Sequence, residues 1–169
     1  MILPYCVDVP FDRRPWANWI IIAATCLVSV TCLLDQGLFD ALALGRRDVP
    51  AYMRPLLRIR PERLESYPTK FDPHTYVTYA FVHAGLLQLA ANMYFLFFFG
   101  NAVNCKLGHV GYTLAYLALA VGAAAIHVLT RGVPAAGASG AICGVLGLFA
   151  VLFPLIRIPL SLCAQLGAS

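Results

Sequence analysis

Charge is scarce in this chain. Only 12% of its 169 residues are Asp, Glu, Lys or Arg, whereas 60% are hydrophobic. Soluble domains are about 25% charged and about 45–50% apolar, so a water-soluble globular domain is excluded and an integral membrane protein is expected. A nucleic-acid footprint is missing as well. The net charge is +4, and the basic residues cluster beside acidic ones in a single loop, which suits membrane-surface anchoring. No nucleic-acid partner is therefore expected. The six cysteines (Cys6, Cys26, Cys32, Cys105, Cys143 and Cys163) contain no CxxC pair, and three lie in apolar runs. They read as buried small hydrophobes rather than disulfides or metal ligands, and no metal or cofactor is expected. A secretory leader is not expected either: Asp8 and Asp12 offset Arg13 and Arg14, and no small-x-small cleavage site follows the first apolar run.

What the chain has is long apolar segments. At about 20 residues per span they predict an all-α membrane protein: a polytopic transmembrane bundle of about four spans, forming a single domain over 1–169. The spans fall at about 16–34, 76–100, 110–130 and 139–156. Trp16 and Trp19 open the first, as interfacial belt residues do, and Asp35-Gln36-Gly37 ends it. The connection 38–75 carries seven basic residues and five prolines (Pro50, Pro55, Pro61, Pro68 and Pro73). The prolines forbid one long helix. Tyr52, Met53, Leu56, Leu57 and Ile59 between them suit short helices lying in the interface beneath snorkelling arginines; an irregular solvated loop is the alternative. Residues 101–109 read as a short turn, and 160–169 is too short for a fifth span.

Span order makes a sharper point. The start of span two, the end of span three and the start of span four share one membrane face. His83, Gln88, Asn92, His127 and Ser139 all lie near it. Ser139 sits in Gly137-Ala138-Ser139-Gly140, at the mouth of span four. A serine hydroxyl becomes a nucleophile when a base takes its proton and donors face the developing oxyanion. A helix N-terminus offers unpaired N–H groups, and Gly137 lets the backbone pass close to a substrate. The plainer reading is that Ser139 caps its helix. Gln88 and Asn92 are four apart on one helical face and carry amide donors suited to an oxyanion or to interhelical bonding. His83 is either an interfacial hydrogen-bonder or a base. Gly140, Gly144 and Gly147 form a small-residue stripe at helical spacing, which admits a close helix neighbour. It reads as a docking surface for a helix outside this chain, or as ordinary packing. No GxSxG elbow is present, since position 141 is alanine.

These residues resemble a known family. "FVHAGLLQLAANMYFLFFFGNAV" at 81–103, followed by "GASGAICGVLGLFAVLFP" at 137–154, looks like the rhomboid intramembrane serine proteases. The resemblance implies Ser139 as nucleophile, Asn92 as the oxyanion-stabilising asparagine, and His83 as the first histidine of an HxxxxHxxxN pattern whose second histidine is here Gln88. Gly137 and Gly140 support the serine motif. Where the family often has a structural glutamate, this chain has Asn104. The family's base is a histidine on a sixth span, whereas His74, His83, His109 and His127 all precede Ser139. Relative to the family, the fifth and sixth spans are missing. His127 shares Ser139's depth, and Gln165 faintly echoes the family histidine. Two functions follow: a serine endopeptidase cleaving transmembrane protein substrates in the bilayer, with its base outside these residues, or a catalytically inactive relative that binds transmembrane clients. A generic helical membrane scaffold is a third. The resemblance also implies the cell (inner) membrane, the N-terminus inside and the serine near the outer face, although the basic residues divide the other way.

Overall fold

The structure, a computed structural model, describes residues 14–47, 69–131 and 133–154. The interfacial helices expected within 48–68 lie outside the described residues, as do Cys6, Cys163, Gln165 and the end of span four.

The first helix, α1 (Trp16–Leu34), has the expected bounds. Its inward stripe is Asn18, Ile21, Thr25, Ser29 and Cys32, while Trp19, Ile20, Leu27, Val30 and Leu34 point outward. Polar-in and apolar-out is the inverse of a soluble helix and is the arrangement of a helix in lipid. Asp35 then does more than stop the span. Its carboxylate accepts the N–H groups of Gly37 (2.8 Å) and Leu38 (3.2 Å), capping α2 (Gln36–Leu42). Beyond it, β1 (Arg46–Arg47) pairs antiparallel with β2 (Thr69–Lys70). This ribbon is a minor exception to the all-α expectation.

The second expected span is interrupted. In place of one helix from 76, α3 (Thr75–Thr78) and a 3₁₀ turn (Tyr79–Phe81) precede an extended step through Val82 to Gly85, and α4 (Leu86–Phe95) starts only there. Buried His83 and Val82 hold that step in place. Gln88, in the first turn of α4, reaches back to accept the Ala84 N–H at 3.2 Å.

The turn expected at 101–109 is confined to its far end. The chain stays helical through a π turn (Leu96–Gly100) into α5 (Asn101–Thr130) and breaks only at Gly108, whose φ of 74° suits glycine. Tyr79 Oη, in the 3₁₀ turn, donates to the Ala120 carbonyl beyond the break at 2.9 Å. The chain therefore doubles back at Gly108. The last helix among the described residues, α6 (Ser139–Leu152), ends four residues short of the expected 156. Phe153 leaves the helix because it precedes Pro154.

The 19 residues of α1 and the stretch Leu86–Thr130 are long and apolar enough to cross a membrane, and Ser139–Leu152 is a shorter apolar helix. The buried core runs along the α5–α6 seam through Tyr112, Tyr116, Ala120, Ala124, Ala141, Val145 and Phe149. Two glycines of the stripe, Gly140 and Gly144, face this seam, which corrects the expectation of a free docking surface at those positions. A methyl group on Gly140 would stand 2.7 Å from Ala123 Cβ, and one on Gly144 would collide with Leu119. Only Gly147 has open space around it. Of the described cysteines, Cys32 is buried, Cys26 and Cys105 are partly so and Cys143 is exposed.

Candidate active site

The segment leading into Ser139 is bonded residue by residue. Leu44 and Ala135 exchange both backbone hydrogen bonds, at 2.8 and 2.9 Å. Gln88 Nε2 donates to the Ala136 carbonyl at 3.1 Å. The Gly137 N–H donates to the Tyr79 carbonyl at 3.0 Å, and the Ala138 N–H donates to His83 Nε2 at 3.3 Å. Gly137 adopts φ 124°, and a methyl there would lie 2.6 Å from Gln88 Nε2 and 3.8 Å from Asn92 Nδ2. Glycine is needed twice over, for its dihedral and for the close approach of the Gln88 amide.

Ser139 itself is exposed, and its hydroxyl has no hydrogen-bond partner among the described residues. Ala138 holds the cap position and Ser139 the first helical position, so the capping role considered from sequence is not the one its hydroxyl plays. The first intrahelical bond runs from Ile142 N–H to Ala138 C=O at 2.9 Å. The N–H groups of Ser139, Gly140 and Ala141 therefore precede the ladder and carry the positive end of the helix dipole.

The amides of Gln88 and Asn92 face this loop, as their shared helical face implied. Asn92 Nδ2 is 2.8 Å from His83 Nε2. Each amide nitrogen carries two hydrogens. One bond per amide holds the loop or His83, and a second N–H remains at each.

His83 is fully buried and serves as a hydrogen-bond hub. A backbone N–H can only donate, so the bond from Ala138 makes Nε2 an acceptor. The ring proton is then on Nδ1, which donates to Ser29 Oγ at 2.9 Å. Ser29 in turn donates to the Phe81 carbonyl at 2.9 Å. Of the two roles considered for His83, base and hydrogen-bonder, this arrangement is the second. The other histidines also face elsewhere: His127 Nε2 bonds the Val133 carbonyl (2.9 Å), His74 Nε2 the Ala41 carbonyl (3.1 Å), and His109 Nδ1 the Asn104 amide (3.4 Å). His127 thus steadies the loop before Ser139 and is not aimed at its hydroxyl.

Sequence reasoning passed over Ser29, Tyr79 and Asn18. A polar stripe along α1 was the signal for the first and last. Asn18 Nδ2 donates to the Leu96 carbonyl (2.9 Å) and to Asn101 Oδ1 (2.8 Å), its Oδ1 accepts from Tyr112, and its backbone N–H donates to Asn104 Oδ1 at 3.2 Å. Asn104 is thereby a structural residue at the end opposite Ser139.

Ser139, its hydroxyl unpartnered among the described residues, thus opens an apolar helix directly after a loop that two side-chain amides face. Residues 70–165 match the Rhomboid domain family. This is more than half of the chain, and the chain belongs to the rhomboid family. It is also similar to Rhomboid-like protein 11, chloroplastic, of Arabidopsis thaliana, with 41% identity over 80 residues. That stretch is 46% of this chain and 28% of the plant protein, so the likeness spans under a third of that relative's length.

Proposed function

We propose that this chain is an intramembrane serine endopeptidase acting on transmembrane protein substrates, with four passes through the bilayer. The observation that carries this reading is Ser139: exposed, without a hydroxyl partner among the described residues, and set directly after a loop whose every residue from Ala135 to Ala138 is tethered. In this reading Ser139 Oγ attacks the substrate carbonyl as its proton passes to a base, and the oxyanion is met by Asn92, Gln88 and the Ser139 N–H. The amine leaves with a proton, and water releases the acyl group. The base comes from outside the described residues. The host membrane is proposed as the cell (inner) membrane.

A second reading has one observation in its favour. All four histidines face groups other than Ser139, which suits a rhomboid-like protein that binds transmembrane clients without cutting them. A fluorophosphonate probe separates the two readings. Covalent labelling lost in Ser139→Ala is the protease outcome. Absence of labelling in the wild-type chain sinks it and leaves client binding.

A further inference from the structure

We propose that Ser29 of α1 is a positioning residue for the Ser139 site, acting through His83; its catalytic consequence rests on the protease reading above. The direction of every bond in the relay is set by its two ends. At one end the Ala138 N–H must donate, so Nε2 of His83 must accept (3.3 Å). At the other end the Phe81 carbonyl must accept, so the Ser29 hydroxyl donates its single hydrogen there (2.9 Å). Ser29 Oγ is then left with lone pairs only, and it accepts the Nδ1–H of His83 at 2.9 Å. Asn92 must likewise present Nδ2 to the ring (2.8 Å). Ser29 and His83 are both fully buried, so water does not substitute for the missing partner.

The consequence is specific. In the other tautomer, Nε2 would carry hydrogen and face the Ala138 N–H donor to donor. The Asn92 amide would turn to present its oxygen instead, moving its nitrogen off the loop. The residue immediately before Ser139 would lose its only side-chain tether. Ser29 therefore selects the ring state that lets one imidazole hold both Asn92 and the start of α6. Ser29 lies mid-helix in the first span, 54 residues from His83, and the polar stripe of α1 is its one mark in the sequence.

The test combines a spectroscopic reading with a chemical one, on the full chain in detergent micelles. With ¹⁵N-histidine labelling and His83→Gln for assignment, wild-type His83 is expected to show a protonated Nδ1 and an unprotonated Nε2. Ser29→Thr keeps that signature, whereas Ser29→Val, of the same shape but without the hydroxyl, and Ser29→Ala lose it. Fluorophosphonate labelling of Ser139 slows about 10- to 100-fold in the Val and Ala variants and little in Thr. A protonated Nε2 in the wild type, or an unchanged signature in both Val and Ala, overturns the proposal. So does equal slowing in Thr and Val, which would mark Ser29 as packing only. If no chain labels, the wild type included, the protease reading falls, and the tautomer comparison alone still decides whether Ser29 sets His83.

Discussion

Both ends of this bundle are built from asparagine and glutamine side chains, and they use them differently. At the Asn18 end the amide is saturated: both hydrogens and the oxygen of Asn18 have protein partners, and the cluster with Asn101, Asn104 and Tyr112 is buried. At the Ser139 end, Gln88 and Asn92 are only partly buried. Each uses one N–H on the scaffold and keeps another. Buried polar groups in a membrane bundle need partners, so saturation is the mark of a structural joint. An amide with a donor left over among the described residues, on the loop before a hydroxyl unpartnered there, is what the proposed site requires. The same residue type thus separates framework from site by its hydrogen-bond accounting.

The strongest way to break this contrast is to remove one amide from each end. Asn92→Ala deletes a proposed oxyanion donor and is expected to slow Ser139 labelling about 10²- to 10³-fold. The thermal midpoint should fall little, because one interhelical bond in a membrane is worth about 0.6 kcal/mol on average. Asn18→Ala should do the reverse. Three side-chain bonds are lost, and the Tyr112 hydroxyl is left buried without its acceptor, for about 2–3 kcal/mol of stability. The labelling rate of the folded fraction stays near wild type. Detergent melts and labelling time courses on both variants read the two quantities. If Asn18→Ala slows labelling as strongly as Asn92→Ala does, the two ends are one coupled unit and the division fails.

The division shows which features a linear reading reaches. The extent of α1 was legible because an unbroken apolar run meets Asp35, a residue that cannot stay in lipid unpaired. The convergence of Gln88 and Asn92 on the serine loop followed from span order, and the geometry agrees. The break at 82–85 was not legible, since Phe81-Val82-His83-Ala84-Gly85 is as apolar as the helix after it and short apolar runs do not declare their periodicity. What opens the helix there is tertiary: a buried histidine tied to α1 and to Ala138. The turn read at 101–109 contains the fold at Gly108 but is several residues too wide for a similar reason. Asn101 and Asn104 look like turn residues, but they stay helical because Asn18 gives them a buried polar partner. A stripe of glycines predicts a close neighbour without naming it, and here the neighbour is α5, already in the chain.

That last point yields the smallest effects and the most graded test. Along α6, the three glycines differ in what faces them and in how far it can yield. A methyl at Gly140 faces the β-carbon of Ala123, an atom with no rotamer to move away on, at 2.7 Å. At Gly144 it meets the Leu119 side chain, which can turn at some cost. At Gly147 it meets nothing within 4 Å. Gly140→Ala should therefore be the most destabilising, at about 2–3 kcal/mol, and Gly144→Ala intermediate at about 1–2 kcal/mol. Gly147→Ala should be neutral, or stabilising by up to about 1 kcal/mol through helix propensity. Pairing Gly144→Ala with Leu119→Ala should recover most of its own cost, a non-additivity that identifies the contact directly. Because Gly140 adjoins Ser139, its variant should slow labelling as well as melt earlier, while Gly144→Ala changes the melt alone. A reversed order, with Gly147 the most sensitive in the melt, would mean that the stripe serves a helix other than α5, and the serine end would then be framed by a surface rather than by the seam described above.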